Sequence, residues 1–496
     1  GNQVSSFRTE QMSSKPVFRH VSFKNTKKKD AFQGVPVSDQ FASVSVSGSG
    51  LVAASLRSSG GGKCGVYAEA GRISAMAPVV QGHSGSVTVA RFSNYHSTLL
   101  ATASEDGSVC VWDIPAGGLT AKLCEPLVQV NAHSRSIVAM EWHPSCAGVL
   151  FTASADKTLC VWDIMAGTLL CDLQLPAIPL SGSWSPDGAL VGLTLRDKTL
   201  FVVDPRTPES GRAVVCHGTI RTRVCWLGGH STEEGHCLVT TGSTSGKREI
   251  KFWRAACGAE PVLLSKQSLD TSSGVIVPLY DIGTRLLFLA DVGSSTIPLW
   301  EVMSPSSPFF IGKFSVGQMT EALCIAPRRL VNADQKEVVV VYQSGREGVW
   351  PCVVSLPTRR GGSDDPLVYP PVEVPDPAMN VAEYSAGSNS IANTEPFGSS
   401  CSAAKAVPVS LSVSPTTAAT ADAEVVRALQ MAQAEAANQK ARADLLQARV
   451  TDLEKMLKTQ TEAKPSLGDD LAAKDAQICA LNAAVNKAIE ALTSTQ

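Results

Sequence analysis

The sequence lacks several features that would each indicate a particular class of protein. No run of apolar residues approaches the roughly 18 that cross a bilayer, so no transmembrane helix is expected. The N-terminal segment lacks the apolar block of a secretory signal peptide. Only 18% of the 496 residues are charged and the net charge is −2. This balance argues against a disordered polyelectrolyte and against a strongly basic nucleic-acid binder.

Recognisable patterns for catalysis, metals or cofactors are missing as well. The 14 cysteines are scattered singly, without Cys-x-x-Cys pairs or histidines at zinc-ligand spacing. This favours reduced thiols that pack as small hydrophobic side chains. The glycine-rich residues 60–63 are followed by Cys64 rather than Ser or Thr, so they do not form a phosphate-binding loop. The sequence predicts a protein that is not an enzyme and binds neither a cofactor nor a metal.

Four stretches of different composition divide the chain. Residues 1–35 begin with a basic segment that carries seven positive and two negative charges in its first 30 residues. Residues 36–357 contain short β-like runs between turn signals. Residues 358–421 are rich in Pro, Ser, Ala and Gly and are predicted to be a flexible linker, whose first dozen residues could pack on the preceding domain. Residues 422–496 have the composition of a strong helix former.

Internal repeats predict the fold of the second stretch. Two units, offset by 50 residues, share a histidine, an aspartate and a tryptophan: His83, Asp106 and Trp112, then His133, Asp156 and Trp162. This pattern is typical of WD repeats, each of which forms one propeller blade. We expect the three side chains to hydrogen bond around middle-strand hydroxyls and to pin a tight turn. A catalytic or metal-binding role for the histidines is the weaker alternative, because the repeat accounts for both.

Degraded units flank this pair, one before it and four after it. The predicted fold is therefore mainly β, a seven-bladed WD-repeat β-propeller over residues 36–357. A closed propeller needs a strand from one end of the chain to complete the last blade. Residues 17–21 (Val-Phe-Arg-His-Val) are the candidate for that strand.

Apolar residues repeat every 3.5 positions through the last stretch, which predicts a left-handed coiled coil that oligomerises the chain. A single amphipathic helix docked on the propeller is the alternative. Pro465 interrupts the pattern without shifting its register, so one kinked helix and two separate helices both remain open. The residues predicted to form the seam and its flanking ion pair are Leu446, Arg449, Val450, Leu453, Glu454, Leu457, Leu471, Ile478, Leu481 and Val485.

Several segments resemble the coronin family. Residues 14–21 look like the coronin N-terminal signature, with Pro-Val inserted before the Phe-Arg-His-Val core. Residues 112–115, 269–274 and 278–281 are similar to coronin blade segments, and residues 364–370 (Asp-Asp-Pro-Leu-Val-Tyr-Pro) to the segment that follows the coronin propeller. The order of signature, propeller, linker and coiled coil also matches. The chain is therefore identified as a member of the coronin family.

The resemblance implies a cytoplasmic protein of the cell cortex that binds actin filaments and regulates their turnover and branching. It also implies contacts with an actin nucleation complex. Residues 449–454 match the coronin trimerisation pattern, which favours a parallel trimer. The alanine-rich seam and Pro465 leave a four-helix assembly open.

Many coronins carry an actin-contacting arginine on the first blade, and that position falls near Pro36 here. Proline cannot supply the charge, so the upstream lysines become the candidates for contact with the acidic filament. These are Lys24, Lys27, Lys28 and Lys29. A solvated charge run on a loop is the alternative interpretation.

The N-terminus suggests a second hypothesis. Gly1, with Ser5 four residues later, fits the pattern for N-myristoylation after removal of an initiator methionine. Since one acyl chain binds membranes weakly, the basic segment would act as the second signal for peripheral membrane association. An ordinary free terminus is the alternative. The competing function is that of a propeller–coiled-coil scaffold adaptor, associated with membranes, that does not bind actin directly.

Overall fold

The computed structural model describes residues 16–25, 30–38, 43–57, 61–232, 235–357 and 368–397. Within these residues, six four-stranded antiparallel sheets and one six-stranded sheet are present. The innermost strands of the seven sheets contact one another in a closed ring. This confirms the predicted seven-bladed β-propeller.

The strands follow one another blade by blade. The first two strands are β1 (Ser22–Asn25) and β2 (Phe32–Gln33). Blade 1 consists of β3 (Val44–Val46), β4 (Val52–Ser55), β5 (Gly62–Tyr67) and, after the outlying β6 (Gly71–Arg72), β7 (Val79–His83). Blade 2 consists of β8 (Val87–Phe92), β9 (Leu99–Ser104), β10 (Ser108–Asp113) and β11 (Val128–Asn131). Blade 3 consists of β12 (Ile137–Trp142), β13 (Val149–Ser154), β14 (Thr158–Asp163) and β15 (Thr168–Gln174).

The remaining blades have the same order. Blade 4 consists of β16 (Pro179–Trp184), β17 (Val191–Leu195), β18 (Thr199–Asp204) and β19 (Thr207–Val215). Blade 5 consists of β20 (Arg223–Thr232), β21 (Gly235–Thr244), β22 (Lys247–Ala255) and β23 (Val262–Asp270). Blade 6 consists of β24 (Ile276–Asp281), β25 (Leu286–Asp291), β26 (Thr296–Glu301) and β27 (Phe309–Ser315). Blade 7 contains β28 (Ala322–Ile325), β29 (Glu337–Gly345) and β30 (Gly348–Ser355), with 3-10 turns at Arg328–Leu330 and Ala333–Gln335.

Burial explains why the middle and outer strands differ in sequence. Every residue of β9 and of β13 is buried, and both strands read as nearly continuous runs of apolar and small residues. The outer strand β15 instead contains only half-buried and exposed residues, as expected for a strand at the solvent edge of its blade. Large side chains such as Trp112 and Phe252 fill the space between neighbouring blades.

The ring is closed by N-terminal strands, but not by the segment we expected. β1 pairs antiparallel with β30, with Ser22 opposite Ser355, and β2 pairs with the same strand further along. The candidate strand at residues 17–21 is therefore wrong in position: pairing begins at Ser22, because Phe18 is instead buried as a side-chain anchor.

The segment after the propeller corrects part of the linker prediction. Residues 368–397 contain β31 (Val372–Glu373), the helix α1 (Val381–Ser385) and β32 (Thr394–Glu395). A capping box formed by Asn380 and Glu383 starts α1, and Tyr384 is fully buried against His143 and Trp184. This part of the predicted linker is packed far beyond its first dozen residues, because a few apolar side chains within a polar composition suffice to anchor it.

The guanidinium of Arg206 on blade 4 holds this segment in place. It donates to the carbonyls of Tyr384 and Ser388 and to the side chain of Asn389, and it is paired with Asp204. The predicted coiled coil at residues 422–496 lies outside the described residues.

Candidate functional site

The first predicted blade network is assembled around Thr102 in blade 2. His83 lies with Nε2 2.7 Å from Thr102 Oγ1 and Nδ1 2.8 Å from Ser108 Oγ, and Trp112 donates its indole N–H to Thr102 over 2.8 Å. Since the Ser108 hydroxyl donates to Asp106 at 2.6 Å, it accepts from Nδ1–H. Both ring nitrogens of His83 are therefore occupied by side-chain hydroxyls of blade 2.

Asp106 completes this network from the turn between β9 and β10. Its carboxylate accepts from the Ser84 N–H at 2.8 Å as well as from Ser108. Partial burial alone would raise the pKa of Asp106, but the nearby His83 ring and the hydrogen bonds from Ser108 hold it well below its usual range. The turn needs Gly107 because its φ is 83° and an added Cβ would lie 2.2 Å from the His133 carbonyl oxygen.

The second predicted network repeats this geometry in blade 3. His133 lies 2.7 Å from Thr152 and 2.8 Å from Thr158, and the Trp162 indole donates to Thr152 at 3.0 Å. Asp156 accepts from Thr158, and these hydrogen bonds hold its pKa low against the opposing effect of partial burial. In both blades the two ring nitrogens of the histidine contact side-chain hydroxyls, so neither nitrogen is open to a metal or a substrate.

A third network in blade 5 was missed in the sequence. His217 contacts Thr240 at 2.9 Å, Trp253 donates to the same hydroxyl at 2.8 Å, and Glu249 lies 3.2 Å from the other histidine nitrogen. Burial, together with nearby Lys251, lowers the pKa of His217 to about 4, so the imidazole is neutral. The sequence identified this blade only as a degraded repeat unit. Glu249 on β22 replaces the turn aspartate, and its longer spacing from the histidine hid the network.

The coronin-like segments of blades 5 and 6 hold ion pairs. Arg248, which is 4% exposed, binds Asp270 from the segment 269–274 at 2.6 Å and Asp291 of blade 6 at 2.6 Å. The guanidinium lowers the pKa of Asp270. Asp281, from the segment 278–281, accepts hydrogen bonds from Thr284. It also forms an ion pair with Arg328, which lies in the first 3-10 turn of blade 7. The ion pairs of these segments thus join neighbouring blades.

The N-terminal signature is anchored on blade 6. The carboxylate of Glu301 accepts the backbone N–H of Val17 at 2.8 Å and that of Phe18 at 2.9 Å. The Phe18 ring is 1% exposed and packs in the apolar cluster between blades 6 and 7. Burial raises the pKa of Glu301, although the two N–H donors oppose the shift. The neighbouring side chains of Arg19 and His20 are exposed.

The predicted actin-binding lysines are only partly described. Lys24 is exposed on β1, opposite Val353 of the last blade. Lys27, Lys28 and Lys29 lie outside the described residues, as do Gly1 and the seam residues Leu446, Arg449, Val450, Leu453, Glu454, Leu457, Leu471, Ile478, Leu481 and Val485.

Blade 1 carries a cation that sequence reasoning missed. Pro36 is exposed, and its carbonyl accepts the backbone N–H of Arg57 at 2.8 Å. The exposed Arg57 therefore stands directly beside the position at which the expected arginine is replaced by proline. No spacing signal could have found it, since 20 residues separate two positions that the strand bridge between Val37 and Leu56 brings together.

The described residues contain few other candidates for chemistry. They hold no group of three or more His, Cys, Asp or Glu side chains that could bind a metal ion. The described cysteines are all free thiols, and burial raises the pKa of several, including Cys64 and Cys110, to about 12. No helix in the described ranges is long and apolar enough to span a membrane.

Comparisons with known proteins agree with this architecture. The family model "WD domain, G-beta repeat" matches residues 76–113 and 124–163. The crystal structure of the WD40 domain from Toxoplasma gondii coronin superposes with a TM-score of 0.69 at 23% identity, covering 77% of this chain and 98% of that one. A chain of the Mitotic Checkpoint Complex superposes with a TM-score of 0.50 at 15% identity, covering 70% of this chain and 98% of that one. These likenesses define a WD-repeat propeller.

A relative in sequence defines the family. Coronin-A of Dictyostelium discoideum is 33% identical over 384 residues, which cover 75% of this chain and 83% of that protein. The chain belongs to the coronin family.

Proposed function

We propose that this protein binds actin filaments and regulates the organisation and turnover of the cytoplasmic actin cytoskeleton. The observation that carries the proposal is the 33% identity to Coronin-A over 384 residues. The N-terminal signature that resembles that of coronins also supports the proposal. Its Phe18 is anchored to the propeller by a hydrogen bond to Glu301 and by packing between blades 6 and 7.

The contact surface we propose includes Lys24 and Arg57. Both are exposed cations, and the strands on either side of the lysine run, β1 and β2, pair with the same strand of the last blade. A basic surface of this kind suits an acidic filament and would make binding sensitive to salt.

Oligomerisation through residues 422–496 is the second part of the proposal. A trimer is favoured by the pattern from Arg449 to Glu454, and a tetramer is the alternative. Several weak propeller sites on one oligomer would act together through their high effective concentration. Contact with an actin nucleation complex would then follow from the same assembly.

Co-sedimentation with actin filaments tests the proposal at about 50 and 200 mM salt, a range over which exposed charges are increasingly screened. We expect the full-length protein to pellet, less so at the higher salt, and a chain ending at Pro415 to pellet less. The variant K24E/K27E/K28E/K29E should lose most of its binding. The control K122E/R212E/K266E/K313E, which changes the charge equally at exposed positions elsewhere, should not.

Absence of pelleting by the full-length protein at micromolar concentrations would refute actin binding. The scaffold-adaptor function would then be preferred, and mass spectrometry of Gly1 would show whether an acyl chain links it to membranes.

A further inference from the structure

A pocket of about 360 Å³ opens where loops of blades 4 to 6 meet. Its walls come from the loop before β20 (219–221), the turn between β21 and β22 (242–248) and the loop before β24 (271–276). Arg248 lines it and is held rigidly by its ion pairs with Asp270 and Asp291. The wall that Arg248 forms is therefore fixed by these two ion pairs.

Two hydrogen-bond donors in this pocket have unused capacity. The Thr219 hydroxyl oxygen is buried and has no hydrogen-bond partner. The exposed Arg221 donates one N–H to the Ser273 carbonyl, which positions its guanidinium while its other N–H groups have no described protein partner. A buried hydroxyl without a partner is costly, and an arginine fork is suited to a carboxylate.

Further exposed cations lie on turns and strand ends next to the loops that line the pocket. Arg196 and Lys198 lie on the β17–β18 turn of blade 4, and Lys247 is the first residue of β22 in blade 5. Hydrogen bonds join these loops: Cys216 N–H donates to the Lys198 carbonyl, and the loop that follows bonds to the β21–β22 turn. We call Arg196, Lys198, Arg221 and Lys247 the cationic loop face.

The acidic side chains Asp197 and Glu249 of this region are bonded to other residues of the propeller. Asp197 accepts from the backbone and hydroxyl of Thr199 within its turn, and Glu249 is bound to His217 and Lys251. In the described part of the chain, no carboxylate forms an ion pair with any residue of the cationic loop face. Its positive charge is therefore available to a partner.

We propose that the cationic loop face binds an acidic segment of a partner protein, with one carboxylate entering the pocket to Thr219 and Arg221. A singly charged carboxylate fits better than a phosphate, because Asp270 and Asp291 lie behind the pocket and would repel a doubly charged group. Cations on separate loops match charges spaced along a peptide. Ile220, which is 46% exposed at the pocket, adds an apolar contact of the kind a peptide can use.

The inference extends the proposed function, because it names a second surface and a partner class that need not be actin. Fluorescence anisotropy of a labelled poly-glutamate peptide with the full-length protein tests it. We expect binding that weakens with salt, and about tenfold weaker binding by K198E/R221E/K247E. The control K122E/R212E/K266E reverses three exposed cations elsewhere and should bind within about twofold of the wild type. Thr219→Val should weaken binding about threefold, because it removes the unpaired hydroxyl.

Several outcomes would overturn this proposal: no binding of the peptide by the wild type, equal losses in the loop and control variants, or retained binding by K198E/R221E/K247E. Loss of binding only in K24E/K27E/K28E/K29E would do the same, since it would place the peptide at the N-terminal lysines. Circular dichroism establishes that each variant is folded. Sedimentation with actin is measured on the same proteins, so a failure of actin binding is seen separately from a failure of peptide binding.

Discussion

The hydroxyl of Thr102 should contribute strongly to the stability of blade 2. It accepts from the Trp112 indole at 2.8 Å and lies 2.7 Å from His83 Nε2, and Thr102 and Trp112 are both fully buried. Thr102→Val keeps the shape of the side chain but leaves the Trp112 indole N–H and His83 Nε2 without their shared partner. At about 1–3 kcal/mol for each of these two groups, the expected loss in the free energy of unfolding is roughly 2–6 kcal/mol.

Thr102→Ser is the matched control, because it keeps the hydroxyl and removes only a buried methyl group, at a cost of about 1 kcal/mol. Urea unfolding followed by circular dichroism measures both changes. In a double-mutant cycle with Trp112→Phe, the Thr102→Val substitution should cost about 1–2 kcal/mol less, since the indole donor has already gone. The reasoning is refuted if Thr102→Val costs no more than Thr102→Ser, or if the cycle shows no coupling.

Three other changes test the turn, the N-terminal anchor and the C-terminal segment. Gly107→Ala should destabilise the propeller by about 1–3 kcal/mol in urea unfolding, because φ is 83° and the new Cβ would meet a carbonyl; Gly117→Ala, in open space, is the control. Phe18→Ala should cost about 3–5 kcal/mol and speed proteolysis of the N-terminus, whereas exposed Arg19→Ala should do neither. Arg206→Ala should make residues 380–390 sensitive to protease without unfolding the blades. Unchanged cleavage would contradict the role of Arg206 in holding this segment on blade 4.

The pH dependence of stability tests the turn aspartate of blade 2. The folded pKa of Asp106 is lowered, so its contribution is fully present above the unfolded value near 3.9 and is lost as the pH falls through the folded value. The difference in unfolding free energy between the wild type and Asp106→Asn should be constant from about pH 8 to 5 and shrink below about pH 4. A difference that grows towards acid pH would show that the carboxylate is not stabilised by its hydrogen bonds.

Local repetition explains why so much of the fold could be predicted from the sequence. The spacing from His83 to Trp112 and from His133 to Trp162 reflects contacts within one repeat unit. Such contacts join residues close in sequence, so they are visible as a repeated pattern. The blade 5 network escaped detection because Glu249 supplies its carboxylate from a neighbouring strand at a different spacing.

Tertiary structure decided what depends on contacts between distant segments. The strand that closes the ring begins at Ser22 rather than Val17, because Glu301, far along the chain, captures the backbone N–H groups of Val17 and Phe18. The placement of Arg57 beside Pro36, and the cationic loop face gathered from two blades, likewise follow from strand pairing. Repeat spacing and hydrophobic periodicity are local properties of a sequence. A surface made from several blades, or a contact such as that of Arg206 with residues 384–389, exists only once the chain has folded.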